Sequence, residues 1–114
     1  MAERIATGIA DDVKECIDLC LECHSTATAT VAYILERKLR ADRLGTLLDA
    51  ADMCRTTADF MLRGSELEER VCDVCSEVCE WAAQMCEQMG EDDQIRRCAA
   101  ICRRCAKACR EMAA

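Results

Sequence analysis

Apolar and polar positions along this chain repeat with the period of a helix. From residue 95 the apolar positions run Ile95, Cys98, Cys102, Cys105, Cys109 and Met112, an unbroken heptad rhythm. Cys72, Cys75, Cys79 and Cys86 follow the same rule, and so do Cys16, Cys20 and Cys23. Every step is three, four or seven residues, which keeps the side chains on one helical face. Cys54 stands alone in its segment, on the face of Leu47, Ala50, Ala58 and Met61. No β-branched alternation and no Asn-Gly or Asp-Gly turn signals a strand. Long stretches of Ala, Leu, Glu, Arg and Met favour helix throughout.

Breakers divide the pattern into four helices. The chain has no proline, and its four glycines are Gly8, Gly45, Gly64 and Gly90. Gly64 suits the left-handed residue that follows a helix. Ser65 with Glu68 then spells the S-x-x-E capping box. Gly90 ends the next helix, and Asp92 or Asp93 can cap the last one. The first boundary falls near Leu39 to Asp42, with Asp42 as the candidate cap. The expected helices are 9–38, 42–63, 66–89 and 93–112. Short connections make neighbours antiparallel, so the expectation is one all-α domain over 1–114. Its architecture would be an up-down-up-down four-helix bundle with a cysteine-lined core.

Composition changes the picture at one residue type. Apolar residues make up 52% of the chain, enough for a core, yet only Tyr33, Phe60 and Trp81 are aromatic. Twelve of the 114 residues are cysteine, a density that in a short secreted chain marks a disulfide scaffold. Charges at Glu3, Arg4, Asp11, Asp12 and Lys14 interrupt the N-terminal stretch, which carries no apolar signal core. A cytoplasmic location is therefore expected, where thiols stay reduced and dense cysteine points to metal or redox chemistry. The net charge is −7, with acidic and basic residues intermixed and no basic stripe. That pattern argues against nucleic acid and against anionic membrane as partners.

Twelve thiols converging on one core admit several readings. As small core hydrophobes they would make an oxidation-prone interior. Disulfides are awkward, because facing helix axes lie about 8–10 Å apart and a bridge needs Cα atoms within about 7 Å. Thiolates as metal ligands select Cu(I), Zn(II) or iron–sulfur clusters. Zinc sites commonly draw paired C-x-x-C elements from loops, and iron–sulfur clusters also use loop cysteines. The dominant unit here is C-x-x-x-C inside a helix: Cys16/Cys20, Cys75/Cys79, Cys98/Cys102 and Cys105/Cys109. Two thiolates one turn apart suit an ion of low coordination number. One Cu(I) replacing one thiol proton also leaves a buried core near neutrality, whereas four thiolates on Zn(II) would bury net negative charge. Multiple Cu(I) ions are the expected cargo. A thiol-based redox or iron–sulfur protein is the alternative.

The stretches CIDLCLECH (16–24), LLDAADMCRTTADFMLRGSE (47–66), VCDVCSEVCEWAAQMCE (71–87) and RRCAAICRRCAKACREMA (96–113) resemble the cytosolic branch of the cysteine-rich four-helix-bundle copper storage proteins. The likeness covers most of the chain in order. It implies many Cu(I) ions along the bundle, held chiefly by C-x-x-x-C pairs, tetrameric assembly, and storage or sequestration without catalysis. Relatives often carry cysteine where this chain has Ala27, Ile34, Ala50 and Ala82, so the second helix is poor in ligands. Two thiolates per ion with some sharing gives roughly six to twelve ions.

Counting along antiparallel helices gives the bundle unlike ends. One gathers Cys16, Cys20, Met61, Cys72, Cys109 and Met112. Copper is expected to pass in there, with Met61 and Met112 as thioether way-stations or plain core filler. The other gathers Tyr33, Ile34, Leu35, Leu44, Leu47 and Met89, a hydrophobic plug whose nearest thiols are Cys86 and Cys98. His24, the lone histidine, projects near the cysteine face, as an auxiliary ligand or a hydrogen-bonded core residue.

Cys20-Leu21-Glu22-Cys23-His24 also spells C-x-x-C-H, the c-type haem attachment pattern, a minor alternative. Ten further cysteines around a haem would have no purpose. The di-iron pattern Glu-x-x-His is absent, and no catalytic residue is expected. A second stripe, Val71, Val74, Val78, Trp81 and Met85, lies one residue behind the cysteine seam. A helix apolar on two adjacent faces has more to bury than one core needs. The stripe therefore predicts a homo-oligomer, dimer or tetramer; the competing reading packs it under Ile5 to Ile9.

Overall fold

The structure is a computed structural model that describes residues 9–114. Four helices follow in order: α1 Asp11–Arg37, α2 Leu44–Leu62, α3 Glu68–Glu87 and α4 Asp93–Ala113. Each packs on its neighbours in sequence, and α4 closes the ring against α1. The result is an antiparallel four-helix bundle measuring 46 × 23 × 19 Å. The segment Ile5 to Gly8, invoked as a cover for the valine stripe, lies outside the described residues.

Helix ends follow from local chemistry. Gly64 takes the left-handed conformation at φ 62. Its amide bonds Met61 O at 3.1 Å and the Ser65 amide bonds Phe60 O at 3.0 Å, a Schellman closure of α2. α1 closes the same way with a non-glycine residue: Lys38 stands at φ 55, and the Leu39 amide reaches Ile34 O at 3.0 Å. At the start of α4 the Asp92 side chain accepts from the Ile95 amide at 3.1 Å.

Two expected caps are corrected. Asp42 does not cap α2, which begins after Arg43 without any side-chain cap; Asp42 instead faces Arg40 across an exposed ion pair. The Ser65–Glu68 box does not form as such. The Ser65 amide, which the glutamate should have accepted from, is already bound to Phe60 O. Ser65 Oγ accepts from the Leu67 amide at 3.1 Å, so it caps the turn ahead of α3 rather than α3 itself.

The core contains all twelve cysteines, none more than 1% exposed. Alanine fills the gaps between them: Ala27, Ala50, Ala58, Ala82 and Ala83 are completely buried. Ile34, Leu47 and Ile95 cap the interior at the end away from Met61, all of them buried. Leu35 does not join them. It is 61% exposed and points to solvent, which corrects its assignment to the plug. On the outer face of α3, Val74 and Trp81 are about half exposed, and Val71 and Val78 lie between surface and core. Met85 turns inward and packs within the chain's own core, so it offers nothing to a partner. Two ion pairs join α3 to α4 along the surface, Glu80 with Arg110 and Glu87 with Arg103.

Candidate metal centre

The seams meet as a continuous sulfur network. Cys109 Sγ lies 3.8 Å from Cys16 Sγ and 3.6 Å from Cys20 Sγ. Cys20 is 3.7 Å from Cys105, and Cys105 is 3.8 Å from Cys54. Cys54 continues to Cys79 at 3.4 Å and to Cys75 at 3.8 Å. Cys23 and Cys102 pair at 3.7 Å. These are contacts between thiols, far beyond the roughly 2.05 Å of a disulfide, and all twelve cysteines are free.

Two four-thiol clusters stand out: Cys20, Cys75, Cys105 and Cys109, and Cys23, Cys54, Cys79 and Cys105. Within each, the sulfurs all lie within 4.8 Å of one another. Cys105 belongs to both. The single cysteine of α2, Cys54, is thus central, because its sulfur touches thiols from α3 and α4 together. Of the C-x-x-x-C pairs, Cys75/Cys79 is in direct contact at 3.9 Å; the other contacts join different helices.

Electrostatics follow the contacts. The contact between Cys102 and Cys23 holds the Cys23 thiol well below its ordinary range and pushes Cys102 up. The neighbouring Cys102 and Cys86 thiols bring Cys98 down to about 4. Cys86 is raised by its neighbour Cys98 and by burial. Cys109, Cys20 and Cys72 likewise hold Cys16 low. Reduced thiols that support neighbouring thiolates in a dry cavity are suited to a soft cation, which substitutes for the shared protons.

At one end of the bundle Cys72 donates to Met61 Sδ at 3.8 Å, both groups fully buried. Met112 is half-buried and shares a groove of about 260 Å³ with Cys16, flanked by Asp12, Glu15 and Lys107. His24 is tied to α2: its Nδ1 donates to Ala51 O at 2.7 Å. Cys20 and Cys23 lie inside the sulfur clusters at zero exposure, so the C-x-x-C-H stretch is not presented for haem.

Some polar features left no sequence signal. Tyr33 hydroxyl donates to Asp92 Oδ2 at 2.7 Å while Arg37 lies over its ring. Gln94 Nε2 donates to buried Thr30 Oγ1 at 3.0 Å. Thr57 is fully buried, and its hydroxyl has no hydrogen-bond partner among the described residues.

Fold and site define a class: a thiol-lined helical bundle that gathers soft metal ions in its interior. Comparison gives the family. A family model described as copper storage protein matches residues 5–114. A protein of Nitrosospira multiformis known from its crystal structure is 37% identical, with 90% of this chain and 94% of that one covered and a TM-score of 0.81. The Cu(I)-bound copper storage protein BsCsp3 is 25% identical, over 91% of this chain and all 100% of that one, at a TM-score of 0.84. The apo form of copper storage protein 3 from Bacillus subtilis is 27% identical, over 87% and 96%, at 0.79. No curated protein matches significantly. The chain belongs to the copper storage protein family.

Proposed function

We propose that this protein stores or sequesters Cu(I) inside its own bundle, with the twelve core cysteines as ligands. The observation that carries the reading is the pair of dry four-thiol clusters joined through Cys105. Ions of low coordination number can share such sulfurs, each displacing a thiol proton so that little charge is buried. Roughly six to twelve ions per chain fit twelve thiols. A family of storage proteins, and a site with no assembled nucleophile and base, support a non-catalytic role.

Copper passes in at the Met61 and Met112 end, where Cys16 floors an open groove. His24 spends Nδ1 on a helix-to-helix hydrogen bond and has only Nε2 left as a ligand atom. Val71, Val74, Val78 and Trp81 form the contact of a homodimer or homotetramer, supported by the half exposure of Val74 and Trp81. A cytoplasmic setting fits twelve free thiols. No helix among the described residues is long and apolar enough to cross a membrane.

The deciding experiment is anaerobic titration with Cu(I) against a competing chelator, with thiols counted in parallel. The expected product is colourless, carries several ions per chain and leaves few titratable thiols. Brown, iron-containing protein, or saturation at a single ion, would overturn the reading.

A further inference from the structure

Only two of the twelve cysteine residues keep any exposure. Cys16 and Cys86 are each 1% exposed, and the other ten are at zero. They sit toward opposite ends of the bundle, and each lines a groove. The groove at Cys86 opens between α3 and α4 and holds about 470 Å³. Small residues make it: Gly90, Ala99 and Ala100 leave the wall thin there. The apolar cap of Ile34, Leu47 and Ile95 closes the end of the bundle but not this flank.

A line of sulfur leads from the clusters to that groove. Cys23 touches Cys102 at 3.7 Å. Cys98, fully buried, lies one helical turn before Cys102 on the inward face of α4, and α4 packs against α3, which carries Cys86. Along such a buried row a two-coordinate ion would pass from thiolate to thiolate without crossing solvent.

We propose that the groove at Cys86 is a second mouth, through which a small zwitterionic thiol withdraws Cu(I). The ligand class follows from the lining. Glu91 offers a carboxylate to an ammonium, and Arg96, one nitrogen of which is held by Asp93, has further guanidinium N–H groups for a carboxylate; Glu87 is taken up by Arg103. The exchange is balanced and redox-neutral. The incoming thiol gives its proton to the departing Cys86 thiolate, its sulfur takes that place on copper, and Cu(I) keeps its charge. The same transfer at Cys98 frees the ion. The proposal rests on the storage reading and adds a direction of traffic to it: in at Cys16, out at Cys86.

The test uses the full-length, Cu(I)-loaded protein with glutathione as the probe thiol and release followed under anaerobic conditions. Ala100 is exposed, so Ala100→Trp blocks the groove from outside with the core left intact. It should slow glutathione-driven release about tenfold, since exchange is limited by access to the metal-bound sulfur, with loading stoichiometry unchanged. Arg96→Glu should slow release by glutathione but not by mercaptoethanol, which carries no carboxylate. Unchanged release from both variants overturns the second mouth while storage stands. Failure of the unmodified protein to load Cu(I) overturns storage itself.

Discussion

Tyr33 donates its hydroxyl proton to Oδ2 of Asp92, and Oδ1 of the same carboxylate caps α4 at the Ile95 amide. One side chain thus ties the end of α1 to the start of α4. The Tyr33 bond, with the Ile95 amide second, holds the Asp92 carboxyl below its ordinary value. The same bond raises the Tyr33 phenol.

The sign of the pH dependence follows. A carboxyl depressed in the folded state stabilises above its unfolded value of about 3.9 and loses that contribution as pH falls through the folded value. A raised phenol stabilises below its unfolded value of about 10 and loses that contribution as pH rises through the folded value. Tyr33→Phe should lower the apo melting temperature at neutral pH, and Asp92→Ala should lower it further because two bonds go. Melting curves across pH should show the Tyr33→Phe gap closing at both extremes. A gap independent of pH would contradict the assignment.

Cys105 belongs to both four-thiol clusters, whereas Cys72 contacts Met61 at the end of the network. Cys105→Ala should reduce copper capacity by more than one ion, and Cys72→Ala by at most one. Each truncation should cost the apo protein only about 1 kcal/mol, as for loss of a small buried group. Equal capacities in the two variants would show that the clusters do not share a ligand.

Met61 and Met112 place thioethers at the Cys16 end of the bundle, one against Cys72 and one beside Cys16. Replacing both with Leu keeps the volume and removes the sulfur. Uptake followed by stopped flow should slow several-fold with capacity unchanged. An unaltered rate reduces the two methionines to packing.

Lys38 ends α1 in the left-handed conformation at φ 55, a position where glycine carries no steric penalty. Lys38→Gly should stabilise the fold by about 0.5–1 kcal/mol. Chemical denaturation would read this as a higher midpoint at constant slope. A loss of stability would mean that the lysine side chain contributes more than its backbone costs.

The cysteine seams made the helices and their inward faces legible, because a step of three or four leaves only one side on which twelve thiols can meet. Asp92 was legible as a cap for the same reason of local spacing. Ser65 and Asp42 were misread, because capping depends on which amides remain unused once the preceding turn has closed. For Ser65 that donor was already taken by Phe60 O. Leu35 follows buried Ile34 and so stands about 100° round the helix from it, on the solvent side, while Met85 sits at the margin of its stripe and falls to the core. Tyr33 with Asp92, and the groove over Cys86, join residues far apart in sequence. They depend on helix register, on which a single strand of letters is silent.

Burying every sulfur has an effect on how the molecule presents itself. As long as each arriving ion evicts one proton, the chain's formal charge of −7 is the same at any fill level, and the outer coat of arginines and carboxylates is untouched. Empty and laden molecules would then share an isoelectric point and attract the same counter-ions. Whatever senses the inventory in a cell has to feel stiffness or breathing, because the surface field carries no tally.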